Sequence, residues 1–534
     1  MVAAATSDRR TPQPASTISL AQRGLEVVPM EPRTAPKLKA QGKSIPTFIG
    51  TSINHGKKFN PTGEGGSPLT TAPTQKVLAL FVTFTDAPPG GPVTRTPLTD
   101  FDDLLFGTTY NPGAYKPYAE TGYPIDRTLK NFYKEATYGK VDIITLNLPS
   151  TTGWLSAGHP YSYYCEADGV HDYGFGPYPA NVQGLVIDAI NAADPYVDFS
   201  QYAIDGVVPN LFVVHAGTGA EWSADPSVIW SHSDSISDGT GLDGYIADGV
   251  KIDNYAMMPE VGGDTTGYLG APTGPYPATV GVYAHEYGHV LGLPDEYDYG
   301  YESEGIGWYS LMSGGSWNNW PEDEIFYGNS PAELDAGMKY RLGVVTPKVI
   351  TGTRTVTLKP SETNPCVYKM IVPGSNGKEY FLFENRQNVG FDQGLLDWYT
   401  GPDIMPIHGL AVYHVDETVF WRNYDRPNEA ENWKEFRSTG WRKAWTGENH
   451  YGISLLQADD RWDLEHGYNG GDVGDLYPGS LKVRSLDNST KPNTSSYYFW
   501  LGNEPKYGYS GVTVRNITET NGNITMTLSF VRPK

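Results

Sequence analysis

The chain has 534 residues, 39% hydrophobic and 13% aromatic, and its 37 tyrosines outnumber the 18 phenylalanines two to one. That length exceeds one ordinary core, since domains run to about 100–200 residues, and it predicts about three units, two large and one an appendage. A formal charge of −22, from 61 acidic and 39 basic residues, argues against electrostatic capture of nucleic acid or of an anionic membrane, and fits a solvated acidic surface on which calcium can bind.

Cys165 and Cys366 form no CxxC pair, which excludes a thiolate metal cage and a disulfide-rich scaffold. One long-range disulfide and two free thiols both stay open. No run approaches the roughly 18 apolar residues of a membrane span, the best being Val77 to Phe84, so a soluble protein is expected. The first ten residues lack a charged stretch followed by an apolar one, so an exported protein would have its signal outside this sequence.

Residues 1–74 are rich in Pro, Thr, Gly and Ser without a sustained period. They read as an irregular leader, either a tail or an inhibitory prosegment laid along the body. The leader holds no cysteine, so no thiolate from it can block a metal.

A continuous apolar run from Lys76 to Phe84 predicts a buried strand and the start of a domain over 75–344. Leu129, Phe132, Tyr133 and Ala136 follow helical spacing, Val141 to Leu148 alternates like a strand, Val182 to Ile190 marks a helix face, and Leu211 to Val214 another strand. Strands alternating with helices imply an α/β (α+β) domain built on a sheet. Ser330-Pro331-Ala332-Glu333 combines an N-cap, a proline and a glutamate in the spacing of a capping box, predicting a helix to about Arg341 that stops near Gly343. Over 345–534 short strand patterns separated by turns predict a β-sandwich-like domain, with strands at 355–358, 367–372, 379–384, 410–415, 453–457, 511–516 and 524–530.

The chemistry concentrates in Ala284 to Tyr297. On a helix, residues four apart differ by about 400° of rotation and roughly 6 Å of rise, so His285 and His289 project from one face and can share an ion. Glu286 stands beside the first histidine, placed to take a proton from a zinc-activated water without entering the ligand set. Gly292 suits a left-handed helix terminus and Pro294 cannot continue the helix, so the chain must turn. The turn can return Asp295, six residues after His289, as a third ligand, with Glu296 the alternative. His215 and His232 are isolated, and such histidines are more often structural than ligating.

Met312 lies 23 residues after His289 within a Gly/Ser turn. Gly292, Asp295 and Met312 stand where a metzincin has its turn, third ligand and Met-turn, although the commoner metzincin pattern ends in histidine. The stretch His285 to Asp295 together with Leu311-Met312-Ser313-Gly314-Gly315-Ser316-Trp317 resembles the immune inhibitor A family of secreted prokaryotic metallopeptidases. The likeness extends to Val213–Glu221, Glu379–Arg386 and Tyr413–Glu417. It implies a zinc endopeptidase acting on proteins, with an N-terminal prosegment, a metzincin-like catalytic domain with mixed sheet and active-site helix, a C-terminal β-rich domain, bound calcium and an extracellular location. Asn469, Asp472 and Asp475, in a Gly-rich turn, are candidate oxygen ligands for that calcium, and an ordinary polar turn stays open as the alternative. The rival readings are a non-catalytic surface or adhesion protein with a structural zinc, and a hydrolase of a non-peptide amide.

Overall fold

The computed structural model describes residues 26–46, 74–90, 96–110, 125–320, 327–397, 404–422, 426–430, 450–498 and 508–531. A seven-stranded mixed sheet positions the site. Its strands are β1 (Glu26–Val27), β2 (Leu78–Thr83), β3 (Trp154–Ser156), β4 (Leu211–Thr218), β5 (His232–Ser235), β6 (Asn254–Gly262) and β7 (Tyr276–Pro277). They lie in the order β1-β5-β6-β4-β2-β3, with β7 paired to the end of β6. β3, β2, β4 and β6 run parallel, whereas β5 is antiparallel to β6 and β1 is antiparallel to β5. β2 and β4 are buried on both faces, as the unbroken apolar run of a parallel strand requires.

Five helices matter to the argument: α1 (Thr34–Ala40), α2 (Leu129–Ala136), α3 (Val182–Ala193), α4 (Val280–Val290) and α5 (Ala336–Arg341). α2 and α3 follow the predicted apolar spacing, and Thr128 and Asn181 cap them by accepting from Asn131 N and Gly184 N. The alternation at Val141–Leu148 yields a strand only over Asp142–Ile144, because Thr145 turns the chain through its hydroxyl bond to Asn147 O.

α5 departs from expectation. It begins at Ala336, not near Ser330, with Asp335 as its cap, accepting from Gly337 N and Met338 N. The pieces of the predicted box have other partners: Ser330 Oγ donates to Phe391 O at 2.7 Å, and the Glu333 carboxylate takes Lys339 Nζ. Gly343, with φ of +70°, follows the helix end as predicted.

The later strands are β8 (Lys348–Val349), β9 (Arg354–Leu358), β10 (Tyr368–Ile371), β11 (Glu379–Arg386), β12 (Gly409–Asp416), β13 (Ile453–Leu455), β14 (Val512–Thr520) and β15 (Asn523–Phe530). They form a five-stranded sheet, β8-β10-β11-β12-β13, and a three-stranded one, β9-β15-β14. β11 and β12 are buried along their whole length because each of their faces meets a different core. Tyr380, Leu382, Tyr413 and Val415 join the large core of the N-terminal half, while Phe381, Phe383, Leu410 and Val412 join a second core with Val356, Val514 and Met526 of the three-stranded sheet. Period-two alternation thus splits one sheet between two apolar layers.

Within the leader, residues 26–46 form β1 and α1 against the body, burying Val27, Val28, Met30 and Leu38. The remainder of the 1–74 reading, including Gly63 to Pro68, lies outside the described residues. Cys165 and Cys366 are unpaired. Among the described residues no helix is long and apolar enough to cross a membrane.

Candidate metal centre

α4 lies against β6, to which Tyr283 donates a hydrogen bond at Pro259 O, 2.6 Å, and α2 fixes it through Tyr133 OH to Ala284 O, also 2.6 Å. Gly288 lets the Met312 thioether approach, since a Cβ there would stand 2.4 Å from Met312 Sδ. Gly292, with φ of +90°, ends the helix: its N–H bonds His289 O at 2.7 Å and Leu293 N bonds Gly288 O at 3.0 Å, the paired bonds of a Schellman turn. That turn directs the chain back toward the histidines.

Three atoms converge there. His285 Nε2 lies 3.1 Å from His289 Nε2, and Asp295 Oδ1 lies 3.0 and 3.4 Å from them respectively. Each imidazole uses its other nitrogen to donate to a carbonyl, His285 Nδ1 to Leu311 O at 2.9 Å and His289 Nδ1 to Leu293 O at 2.8 Å. A carbonyl can only accept, so in the neutral rings both Nε2 atoms carry lone pairs, aimed at one another and at a carboxylate. Such an arrangement is repulsive until a cation stands among the three. Tetrahedral zinc, with bonds of ~2.0–2.1 Å, would separate its ligands by roughly 3.3 Å, and the observed spacings agree with that, so the residues fit the ion.

The carboxylates at 295 and 296 have opposite surroundings. Burial raises the Asp295 pKa, but the adjoining histidine pair, His289 foremost, outweighs it and holds the carboxyl below its usual range. Its Oδ2 accepts from Tyr299 OH, while Oδ1 takes no conventional hydrogen bond. Glu296 turns the other way, accepting from Ser310 Oγ at 2.6 Å, and burial followed by the neighbouring Asp335 pushes its carboxyl well above the ordinary value. The structure therefore brings Asp295, not Glu296, to the histidines. Glu286 is fully buried beside His285, and Met312 is fully buried under Gly288.

His215 and His232 sit in strands β4 and β5, outside this group. His215 Nδ1 contacts Ala216 O and His232 bonds Trp230 O and Tyr255 OH; burial lowers both pKa values to about 4, so both rings are neutral structural groups at physiological pH.

A second group joins Asp472 and Asp475 to Asp459, their oxygens within 4.8 Å of one another. Asn469 reaches Asp472 and Asp463 through its amide nitrogen, at 3.3 and 3.4 Å. Asp459 escaped the sequence reading because the turn that brings it in closes only on folding. Burial, then mutual repulsion, raises Asp475 well above the ordinary carboxylate value.

A buried helix-borne histidine pair with a returning carboxylate and a flanking glutamate matches the pattern of metallopeptidase centres. Comparison with known proteins agrees: the family described as "Immune inhibitor A peptidase M6, catalytic domain" matches residues 67–343. The chain belongs to this family. Immune inhibitor A of Bacillus thuringiensis subsp. alesti is 31% identical over 240 residues, covering 41% of this chain and 31% of the relative. The pre-pro-metalloprotease PrtV of Vibrio cholerae serotype O1 (strain M66-2) is 28% identical over 277 residues, 46% of this chain and 27% of the relative. The matched stretch thus spans less than a third of these curated relatives.

Proposed function

We propose that the protein is a secreted zinc-dependent endopeptidase acting on proteins, with His285, His289 and Asp295 holding the zinc and Glu286 as general base and then general acid. The convergence of Nε2, Nε2 and Asp295 Oδ1, with each Nδ1 already committed, carries this reading. When bound, zinc lowers the pKa of its water to about 7 and polarises the scissile carbonyl. The Glu286 carboxylate accepts the proton of the attacking water and returns it to the leaving amine nitrogen. Leu311 O and Leu293 O hold the two rings in the tautomer that presents Nε2, and Tyr299 OH turns Asp295 so that Oδ1 faces them.

Among the described residues three protein ligands converge, whereas a structural zinc is usually closed by four, which favours catalysis over the adhesion-protein rival. Chelation is expected to abolish cleavage of a protein mixture, and stoichiometric zinc to restore it. In His289→Ala, zinc at the same concentration is expected to restore nothing. Chelator-resistant cleavage sinks the metal mechanism, and products confined to non-peptide amides favour the third reading.

The finer architecture belongs to the same reading: a metzincin-like catalytic domain over 75–344 with Met312 as its Met-turn, and a sandwich-like domain over 345–534 whose two sheets share a core. Calcium at Asp459, Asp472 and Asp475 is supported by the fully buried Asp475 Oδ1, which accepts no hydrogen bond.

Latency rests on residues 27–31. Val27 O accepts from Tyr297 OH, Val28 O from Trp230 Nε1 at 2.9 Å, and Pro29 O from Trp317 Nε1 at 2.8 Å. Met30 N donates to Tyr301 OH at 2.9 Å and Glu31 N to Glu221 O at 2.9 Å. The segment lies against the loop that carries Asp295 and, at Val27, pairs with β5, which would be the edge of the sheet without it and could there take an extended substrate as an added strand. Proteolytic trimming through residue 46 is expected to raise the cleavage rate; an unchanged rate would make the segment a brace and not an inhibitor.

A further inference from the structure

The loop Asp295–Tyr301 belongs to no helix or strand, and its main chain meets the body at Glu296, whose N–H donates to Met312 O at 2.7 Å and whose carbonyl accepts from Ile306 N at 3.0 Å. A further hold comes from a short strap, 426–430, that belongs to the C-terminal half and is remote in sequence. Asn428 is fully buried; its Nδ2 donates to Glu296 O at 3.1 Å and its Oδ1 accepts from Ile453 N at 3.2 Å. One carboxamide therefore ties the Glu296–Tyr297 peptide to the first residue of β13. Glu429, 3% exposed, accepts from Tyr299 N at 3.0 Å. The strap is itself anchored by Gly452 N to Pro427 O, 2.8 Å, and the Arg426 guanidinium lies 5.3 Å from the Tyr299 ring centroid.

We infer that Asn428 and Glu429 are positioning residues for the third metal ligand: they hold Glu296 and Tyr299, and through the Tyr299 hydroxyl on Oδ2 they aim Asp295 Oδ1 at the two imidazoles. The inference rests on the zinc reading above. A ligand carboxylate must be held within about 0.5 Å of its working position. Here the strap clamps the main chain at Glu296 O and Tyr299 N, the stretch that joins the ligand to the tyrosine orienting it, and the clamp comes from outside the stretch the family match covers. The metal site is accordingly a joint product of the two halves of the chain, although all three ligands lie in one.

The test uses the whole chain and reads zinc affinity by chelator competition, the visible spectrum of the cobalt-substituted protein, and the thermal midpoint of the metal-free form. Glu429→Ala and Asn428→Asp are expected to weaken zinc binding about 10–100-fold and to alter the cobalt bands, the usual size of an effect transmitted through a ligand's partner. Glu429→Gln keeps an oxygen that accepts from Tyr299 N and should stay within about threefold of wild type, below that range. Wild-type zinc affinity and cobalt bands in both disruptive variants would overturn the inference, whatever happens to the midpoint. If Glu429→Ala fails to fold, Glu429→Asp, shorter by one methylene, takes its place with the same expected weakening. A wild-type protein that binds no zinc would instead fail the metal reading, and the inference with it.

Discussion

Glu286→Gln is expected to lower kcat/KM for a protein substrate by about 10²–10⁴-fold, the usual contribution of a positioned proton-transfer group. Glutamine has the shape of glutamate but cannot accept the proton, and Glu286 is not among the three atoms that converge, so zinc content should be unchanged. The two readouts together separate proton transfer from metal binding. Hydrolysis by the glutamine variant at the wild-type rate, with zinc bound, would sink the mechanism. Loss of zinc in that variant would move Glu286 into the ligand set.

The second large effect concerns stability. Arg386 is fully buried, with Nε and Nη2 on the two oxygens of Asp392 at 2.7 and 2.8 Å and Nη1 on Tyr309 O at 2.6 Å. Burial raises the Asp392 pKa, but the guanidinium overrides it and holds the carboxyl below its ordinary range. Removing the cation strands that charge, which costs about 3–5 kcal/mol for a buried pair. Arg386→Met should therefore show a much lower urea midpoint, and Arg386→Met with Asp392→Leu should recover part of it, because the Asp392 charge is then no longer stranded, while Glu384, 3.5 Å from the guanidinium, still loses a partner. A single variant as stable as wild type would show that the pair contributes no net stability.

The histidine pair, the turn at Gly292 and most strands were legible because each is written locally: period four on one helix, short strand patterns bounded by turns at β11 and β12, a glycine where the helix needs a left-handed terminus. Spacing from His289 alone favours Asp295, with Glu296 the alternative. What separates them is Tyr299 on one side and Ser310 with Asp335 on the other, and Asp335 lies 40 residues downstream. The start of α5 was misplaced for a related reason. Ser330 and Glu333 have capping chemistry, but their partners, Phe391 O and Lys339, outcompete the local box. Neither the strap at 426–430 nor the pairing of Glu26–Val27 on β5 leaves a periodic trace, since both are short segments held mostly by single bonds to distant residues.

The five-stranded sheet also constrains how the molecule can be made. Tyr380, Leu382, Tyr413 and Val415 supply one wall of the core that backs the N-terminal half. A nascent chain that has just completed α5 has that core open on one side, and β11 to β13 close it only once residue 455 has left the ribosome. Contacts between stretches so far apart form slowly and leave apolar surface exposed meanwhile. The half that carries the ligands is therefore the earlier to be synthesised but cannot be the earlier to finish folding.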